Sequence, residues 1–266
     1  GFLLLAGSAR SSEGPNPGAV FLEIWPGTRP TALAGAFSSS ADDALATYYN
    51  TGGLAFITGT DITLMHVNWL PGLYPGMYYE FLGVAHELPG KGTLGFNFIY
   101  LTTGSTDVID GNGNHLGTYT TFDFSPSASY GFKVAPNLGV GIGLKFIYSF
   151  LVPDWVFKAM PELGIDAGGT GTTWAADAGL LYRPLNNLWL GASISNLGPN
   201  ISYVRSGEAD PLPRMLRLGL RYSPLNSDLF RLSILPEVQK VMVGLFYDQE
   251  QTKTLGEKLN YAWFEA

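Results

Sequence analysis

Along most of the chain, apolar residues fall at every second position. Leu138, Val140, Ile142, Leu144, Phe146 and Tyr148 form one series, and their alternates are Gly139, Gly141, Gly143, Lys145, Ile147 and Ser149. A period of two puts the two series on opposite faces of a strand. Likewise Thr120, Phe122, Phe124, Ala128, Tyr130 and Phe132 oppose Tyr119, Thr121, Asp123, Ser125, Ser127, Ser129 and Lys133. Trp174, Ala176, Ala178, Leu180 and Tyr182 oppose Ala175, Asp177, Gly179, Leu181 and Arg183, and Leu216, Leu218, Leu220 and Tyr222 oppose Arg217, Gly219, Arg221 and Ser223. The pattern predicts strands near 61–69, 76–88, 91–103, 117–133, 137–150, 170–183, 188–196, 213–223, 228–239 and 257–266. Many exceed the roughly 5–6 residues of an ordinary strand and approach the length at which a tilted strand crosses a bilayer, about 9–11 residues. No run of about 20 apolar residues offers a spanning helix.

The connections alternate in length. Pro89-Gly90, Val134–Pro136, Pro184–Asn187 and Pro224–Ser227 are short, whereas 104–116, 151–169, 197–212 and 240–256 are long. Short turns at one end and long loops at the other are the habit of outer-membrane barrels. The connection 70–75 departs from this, being short within the long series. Aromatics gather near strand ends, as at Trp69, Tyr74, Tyr78, Tyr79, Trp155, Trp189 and Trp263, where interfacial girdles form. A soluble sandwich or barrel also alternates, with its aromatics in the core. Composition separates the two readings. Only 14% of the 266 residues are charged, against about 25% in soluble domains, while aromatics reach 14%. Low charge and long strands favour the membrane.

The 22 acidic and 15 basic residues leave a net charge of −7, with no basic excess to neutralise phosphates, so no nucleic-acid partner is expected. The absence of Cys excludes disulfides, thiolate zinc sites and a cysteine nucleophile. The three histidines, His66, His86 and His115, lie in no Gly-x-Ser-x-Gly or His-x-x-x-His setting. Asp107, Asp110, Asn112 and Asn114 alternate oxygen ligands as a Ca²⁺ loop does, but no Glu closes the loop at the required spacing. The expectation is a protein that is not an enzyme and holds no metal or cofactor.

A charge facing lipid at mid-depth costs about 2–4 kcal/mol. Glu80, Asp123, Lys133, Lys145, Asp177, Arg183, Arg217 and Arg221 are therefore expected to face the lumen. They suit either a polar passage or, preferably, a network that holds the N-terminal segment through Asp42, Asp43 or Arg29. Two long loops are candidate partner surfaces: the apolar stretch with Trp155 and Phe157, which fits the lipid boundary equally well, and the stretch with Tyr203.

Three regions are expected. Residues 1–9, Gly-Phe-Leu-Leu-Leu-Ala-Gly-Ser-Ala, read as a signal-peptide remnant, 10–56 as a linker and plug segment, and 57–266 as a barrel that stops without a closing hairpin. Within the plug segment, 42–49 suits a short helix capped by Asp42 or Ser40, and Asn50–Gly53 a turn.

That segment also carries a resemblance. Arg29, Gly35-Ala36-Phe37, Ala41-Asp42-Asp43-Ala44 and Asn50 with Gly53-Leu54-Ala55 resemble the N-terminal signature of the PorV/PorQ family, within the FadL-like outer-membrane barrels. Pro30 after Arg29, Tyr49 in place of the common Trp, and Thr51-Gly52 in place of Pro-Ala depart from it. Asn196-Leu197-Gly198-Pro199 and Pro211-Leu212-Pro213-Arg214 resemble two further family motifs. The resemblance implies an all-β, antiparallel transmembrane β-barrel of about fourteen strands, about ten of them here, with a small helical plug. It implies a bacterial outer-membrane location among membrane lipid. It further implies a role in type IX secretion, with a translocon barrel and the C-terminal domains of cargo proteins as partners. The wider FadL-like group implies an alternative, transport of a hydrophobic small molecule.

Overall fold

The computed structural model describes residues 16–72, 76–160, 168–204, 209–227 and 229–243. The N-terminal remnant, Tyr74, Trp263 and the expected strand 257–266 lie outside them. One antiparallel sheet contains β1 (Thr60–Asn68), β2 (Tyr78–Leu88), β3 (Gly92–Ile109), β4 (His115–Ala135), β5 (Leu138–Phe150), β6 (Thr170–Leu185), β7 (Leu188–Leu197), β8 (Met215–Asn226), β9 (Arg231–Ile234) and β10 (Glu237–Val241). β1 to β8 are neighbours in chain order, and β9 and β10 both pair with β8. The all-β antiparallel class expected from the alternation is the class observed. No helix among the described residues is long and apolar enough to cross a membrane.

Two expectations about the strands are corrected. The strand placed at 228–239 is broken at Leu235-Pro236, because proline has no amide hydrogen for the ladder. The pieces still follow one edge of β8, since the Leu220 N–H donates to the Pro236 carbonyl at 2.9 Å. The long loop placed at 104–116 is mostly strand: β3 and β4 stay paired out to Ile109 and His115, beyond the last partners in β2 (Tyr78) and β5 (Phe150).

On β4 and β5 the outward face is mainly apolar and the inward face mainly small or polar. On β5, Gly139, Gly141, Gly143, Lys145, Ile147 and Ser149 are buried, while Ile142 and Leu144 are 66% and 63% exposed. On β4, Ser125, Ser127 and Ser129 are buried beneath outward Phe122, Phe124 and Tyr130. The outward aromatics stack across strands, Tyr100 on Phe122 at 6.3 Å and Phe124 on Tyr148 at 4.9 Å.

The core is formed by the N-terminal segment. Phe21, Leu22, Phe37, Leu45, Tyr48, Tyr49 and Leu54 pack with inward Tyr79, Phe81, Ile99 and Ile147. The segment holds α1 (Thr28–Ala32), α2 (Ala46–Tyr49) and a 3-10 turn over Thr51–Phe56. The expected helix at 42–49 is thus shortened to its last turn. Neither Asp42 nor Ser40 caps it; the Asp43 carboxylate instead accepts the Leu45 N–H at 2.9 Å. The expected turn at Asn50–Gly53 is the start of the 3-10 turn, with the Asn50 side chain as its cap.

The sheet curves around this segment. Ala44 N–H donates to Asp61 of β1 at 2.9 Å, and Ser38 N–H donates to Glu237 of β10 at 2.8 Å. One short stretch of plug therefore touches the first and last strands of the described sheet.

Candidate functional site

The plug sits against the wall because the wall presents glycine to it. A Cβ on Gly141 would run into the Thr51 carbonyl, one on Gly179 into the Asn50 side chain, and one on Gly191 into the Ser38 carbonyl. Backbone thus meets backbone, and the polar groups brought together need partners. Asn50, fully buried, supplies several. Its Nδ2 donates to the Ser38 carbonyl at 2.7 Å and to the Leu180 carbonyl of β6 at 2.9 Å, while its Oδ1 accepts the Gly52 N–H at 3.0 Å. Ser193 of β7 donates to the Tyr49 carbonyl at 2.7 Å, and Asn97 of β3 to the Thr47 carbonyl at 3.0 Å. Gly53 lies so close to Ala41 that a Cβ would meet the Ala41 carbonyl.

At the end of the sheet with the short turns, cations and rings interleave. Arg29 reaches Asp42 and lies 3.4 Å from Asp43, with its guanidinium 4.4 Å from the Phe37 ring centre. Asp42 also meets Arg221 at 3.4 Å. Arg221 and Arg183 both lie over Trp189, at 4.8 and 5.3 Å, and Trp189 packs edge-on to Phe56, over which Lys133 lies at 5.4 Å. Burial pushes the Asp43 carboxyl up, against the pull of Arg29. Gly35 holds φ at +82°, where a side chain would be strained, and its carbonyl accepts Gln239 of β10 at 2.9 Å.

A second polar hub lies within the wall. Lys145 Nζ is 3.0 Å from Asp177 and 2.8 Å from Asn196 Oδ1, all three buried. Asn196 holds φ at +62°, a conformation Asn tolerates better than most residues. It donates its N–H to Asp177 at 2.9 Å and its Nδ2 to the Pro213 carbonyl at 2.8 Å. Arg214 is wholly buried and donates to the Gly198 carbonyl at 2.9 Å and Asn200 at 3.0 Å. The two later sequence motifs are therefore fastened to each other. Desolvation lowers the Arg214 guanidinium to about 10, still charged at neutral pH. Arg217 joins plug to wall: it donates to Ser195 at 3.0 Å and lies 5.4 and 5.6 Å from the Tyr48 and Tyr49 rings. Burial pushes the Tyr48 hydroxyl up to about 12 and Tyr49 higher still, so both remain neutral donors, to the Leu22 and Pro26 carbonyls.

Of the residues expected to face the lumen, Asp123, Lys133, Lys145, Asp177, Arg183, Arg217 and Arg221 share the inward parity of their strands. Glu80 is a correction. Inward positions of β2 are Tyr79, Phe81 and Ala85, which puts Glu80 on the outer face. There it pairs with His66, its cross-strand neighbour, at 2.7 Å. The partner-loop residues separate. Trp155 on α3 (Asp154–Ala159) is 37% exposed and packs edge-on to Tyr119, Phe157 is buried, and the Tyr203 hydroxyl accepts the Ala19 N–H at 3.1 Å. At the tip of the β3–β4 hairpin, Asp110 accepts from Asn112 and Asn114 of its own turn. Asp61, Glu237, Gln239 and Asn97 were not singled out by sequence, having no local pattern that marks them as plug or wall contacts.

One apolar cleft opens between the plug and β1. It measures about 790 Å³ and is lined chiefly by Ile24, Trp25, Met65, Val67, Trp69 and Tyr79. Glu23 stands at its side, its carboxyl pushed up by burial.

Comparison with known proteins gives a family. The family model described as Type IX secretion system protein PorV matches residues 14–247. No curated protein matches the chain. Among solved structures, the Pseudomonas putida toluene transporter TodX aligns with a TM-score of 0.31 and 14% identity, covering 73% of this chain and 57% of that one. A mutant TodX, described as a monoaromatic hydrocarbon channel, aligns with a TM-score of 0.34 and 15% identity over the same shares. The chain thus spans 57% of the length of those channels.

Proposed function

The chain belongs to the PorV family of type IX secretion system proteins, and from that premise we propose a non-enzymatic outer-membrane barrel that serves protein export as a docking component. It would receive cargo proteins from a translocon barrel through their C-terminal domains and hand them on at the cell surface. The observation that carries this reading beyond family membership is the seated plug. Hydrogen bonds through Asn50, Ser193 and Asn97 and the contacts to Asp61 and Glu237 fasten it to five strands. A lumen filled in this way suits a platform whose outer loops do the work.

A second reading, movement of a hydrophobic small molecule, is favoured by the apolar cleft beside Trp25, Trp69 and Tyr79. One experiment separates the two. The natural full-length protein is extracted from native outer membranes in mild detergent, and everything that copurifies is identified by mass spectrometry. A large barrel protein and cargo sharing a C-terminal domain support the docking role. A lone barrel carrying stoichiometric hydrocarbon or lipid in its interior replaces it with transport.

A further inference from the structure

We propose that the short-turn end of the sheet carries a binding site for the phosphate headgroup of a membrane phospholipid, with Lys91 and Lys133 as its cationic arms. A cavity of about 540 Å³ opens there, between the β2–β3 turn and the end of β4. Lys91, Lys133, Tyr130, Phe132, Glu87 and Ala55 are among its lining residues. Both lysines are exposed, and among the described residues neither forms an ion pair. Glu87 is the one carboxylate in the lining, and it accepts the Gly59 N–H at 2.8 Å. The cavity therefore keeps a net positive charge in a protein whose overall charge is −7.

The cavity walls are also built. The Tyr130 hydroxyl donates to the Lys91 carbonyl, which ties the turn to β4. Lys133 lies over the Phe56 ring of the plug at 5.4 Å, which limits where its ammonium can reach. Tyr130 and Phe132 stack at 5.9 Å on the outer side.

What distinguishes a lipid from a free anion is the surface that adjoins the cations. Leu94, Phe96, Phe132 and Val134 are all exposed on the outward faces of β3 and β4 at this end. An amphiphile with its phosphate between the lysines would lay its acyl chains along that face. Basic pockets beside a hydrophobic belt recognise headgroups in this way, at the depth where aromatic rings also sit. The inference goes beyond the export role and rests on it only in requiring a membrane location.

The test uses the natural full-length protein, first inserted into mixed vesicles of phosphatidylcholine and phosphatidylglycerol and then exchanged into detergent. Native mass spectrometry reads retained phosphatidylglycerol for the wild type, for Lys91→Gln/Lys133→Gln and for Lys158→Gln, a lysine on α3 outside this cavity. The wild type is expected to retain one phosphatidylglycerol. The double variant should bind it about thirtyfold more weakly, and the Lys158 variant as well as the wild type does. Equal retention by wild type and double variant overturns the site, as does an equal loss in the Lys158 variant. Glycerol phosphate competing at the same concentration as the lipid overturns the lipid assignment and leaves a free-phosphate site. If the double variant does not fold, selectivity of the wild type for phosphatidylglycerol over phosphatidylcholine supports the site, and its absence overturns it. Failure to insert into vesicles overturns the membrane location itself, and the proposal with it.

Discussion

At the scale of residues, the two hubs differ in what their loss should cost. Asn50 satisfies three backbone groups buried between plug and wall. Asn50→Ala leaves the Ser38 and Leu180 carbonyls and the Gly52 N–H to find other partners. Each orphaned group costs about 1–3 kcal/mol, offset by whatever water can enter, so a total of about 2–4 kcal/mol is expected. The shift in denaturant midpoint of the detergent-solubilised protein, followed by tryptophan fluorescence, reads it; a shift under about 0.5 kcal/mol would mean that Asn50 holds nothing. Lys145 and Asp177 behave otherwise, because each is the other's charge partner at 3.0 Å in a buried setting. Lys145→Met alone strands a buried carboxylate and is expected to cost about 3–5 kcal/mol, whereas Lys145→Met/Asp177→Leu should recover much of that loss. A double variant no better than the single would show that Asn196, which bonds both, needs the charges themselves. Asp110 offers a pH reading. Its bonds to Asn114 and Asn112 hold its carboxyl below the usual value of 3.8. Its folded value is depressed, so its contribution is present above 3.8 and is lost as pH falls through the folded value. Amide exchange at Gly113, whose N–H bonds the Asp110 carbonyl, should therefore accelerate only below about pH 4.

At the scale of elements, β5 shows what the pattern could convey. Its glycines alternate with exposed apolar residues, and the smaller series faces the plug backbone. The lipid requirement told which series turns outward, because the alternative puts Lys145 in hydrocarbon. β2 was harder to read because both of its faces are apolar: Tyr79 and Phe81 look in, Tyr78 and Leu82 look out. Only its charge could assign a face, and Glu80 sits outward with His66 as partner, which no single-strand pattern encodes. The strand expected over 228–239 passed over Pro236, which breaks it, and only the β8 ladder shows that both pieces lie on one edge. Least legible was the plug's attachment, since Ser38 finds Glu237 across 199 residues. The glycine rule does allow a sharp comparison. A Cβ at Gly141 meets the carbonyl of Thr51, which is backbone and cannot swing aside, whereas one at Gly143 meets nothing nearer than 3.4 Å. Gly141→Ala is expected to lift the Thr51–Phe56 turn from β5, costing about 1–3 kcal/mol and exposing the N-terminal segment to protease. Gly143→Ala should leave digestion unchanged. Equal digestion of both variants would mean that the plug yields without cost.

At the scale of the whole molecule, the question is whether the plug must leave for the protein to act. The motifs at Asn196–Pro199 and Pro211–Arg214 fasten β7 to the start of β8, Arg217 fastens β8 to Tyr48 and Tyr49, and Glu237 fastens β10 to Ser38. These contacts close a circuit through wall and plug, so releasing the plug would break many buried polar contacts together. A docking component has no need to break them, while a conduit does. The chain contains no Cys, which allows a clean lock. A Cβ on Gly219 would stand 2.5 Å from Ser38 Oγ and 2.7 Å from Glu237 Oε2, so once the flexible Glu237 side chain swings aside a disulfide between Ser38→Cys and Gly219→Cys is within reach. In an oxidising envelope the pair should close and pin the plug to β8. Cargo export by cells carrying the locked full-length protein should match that with either single variant, with or without reductant. Export that stops on locking and returns on reduction would place plug movement in the mechanism and shift the assignment toward a passage through the lumen.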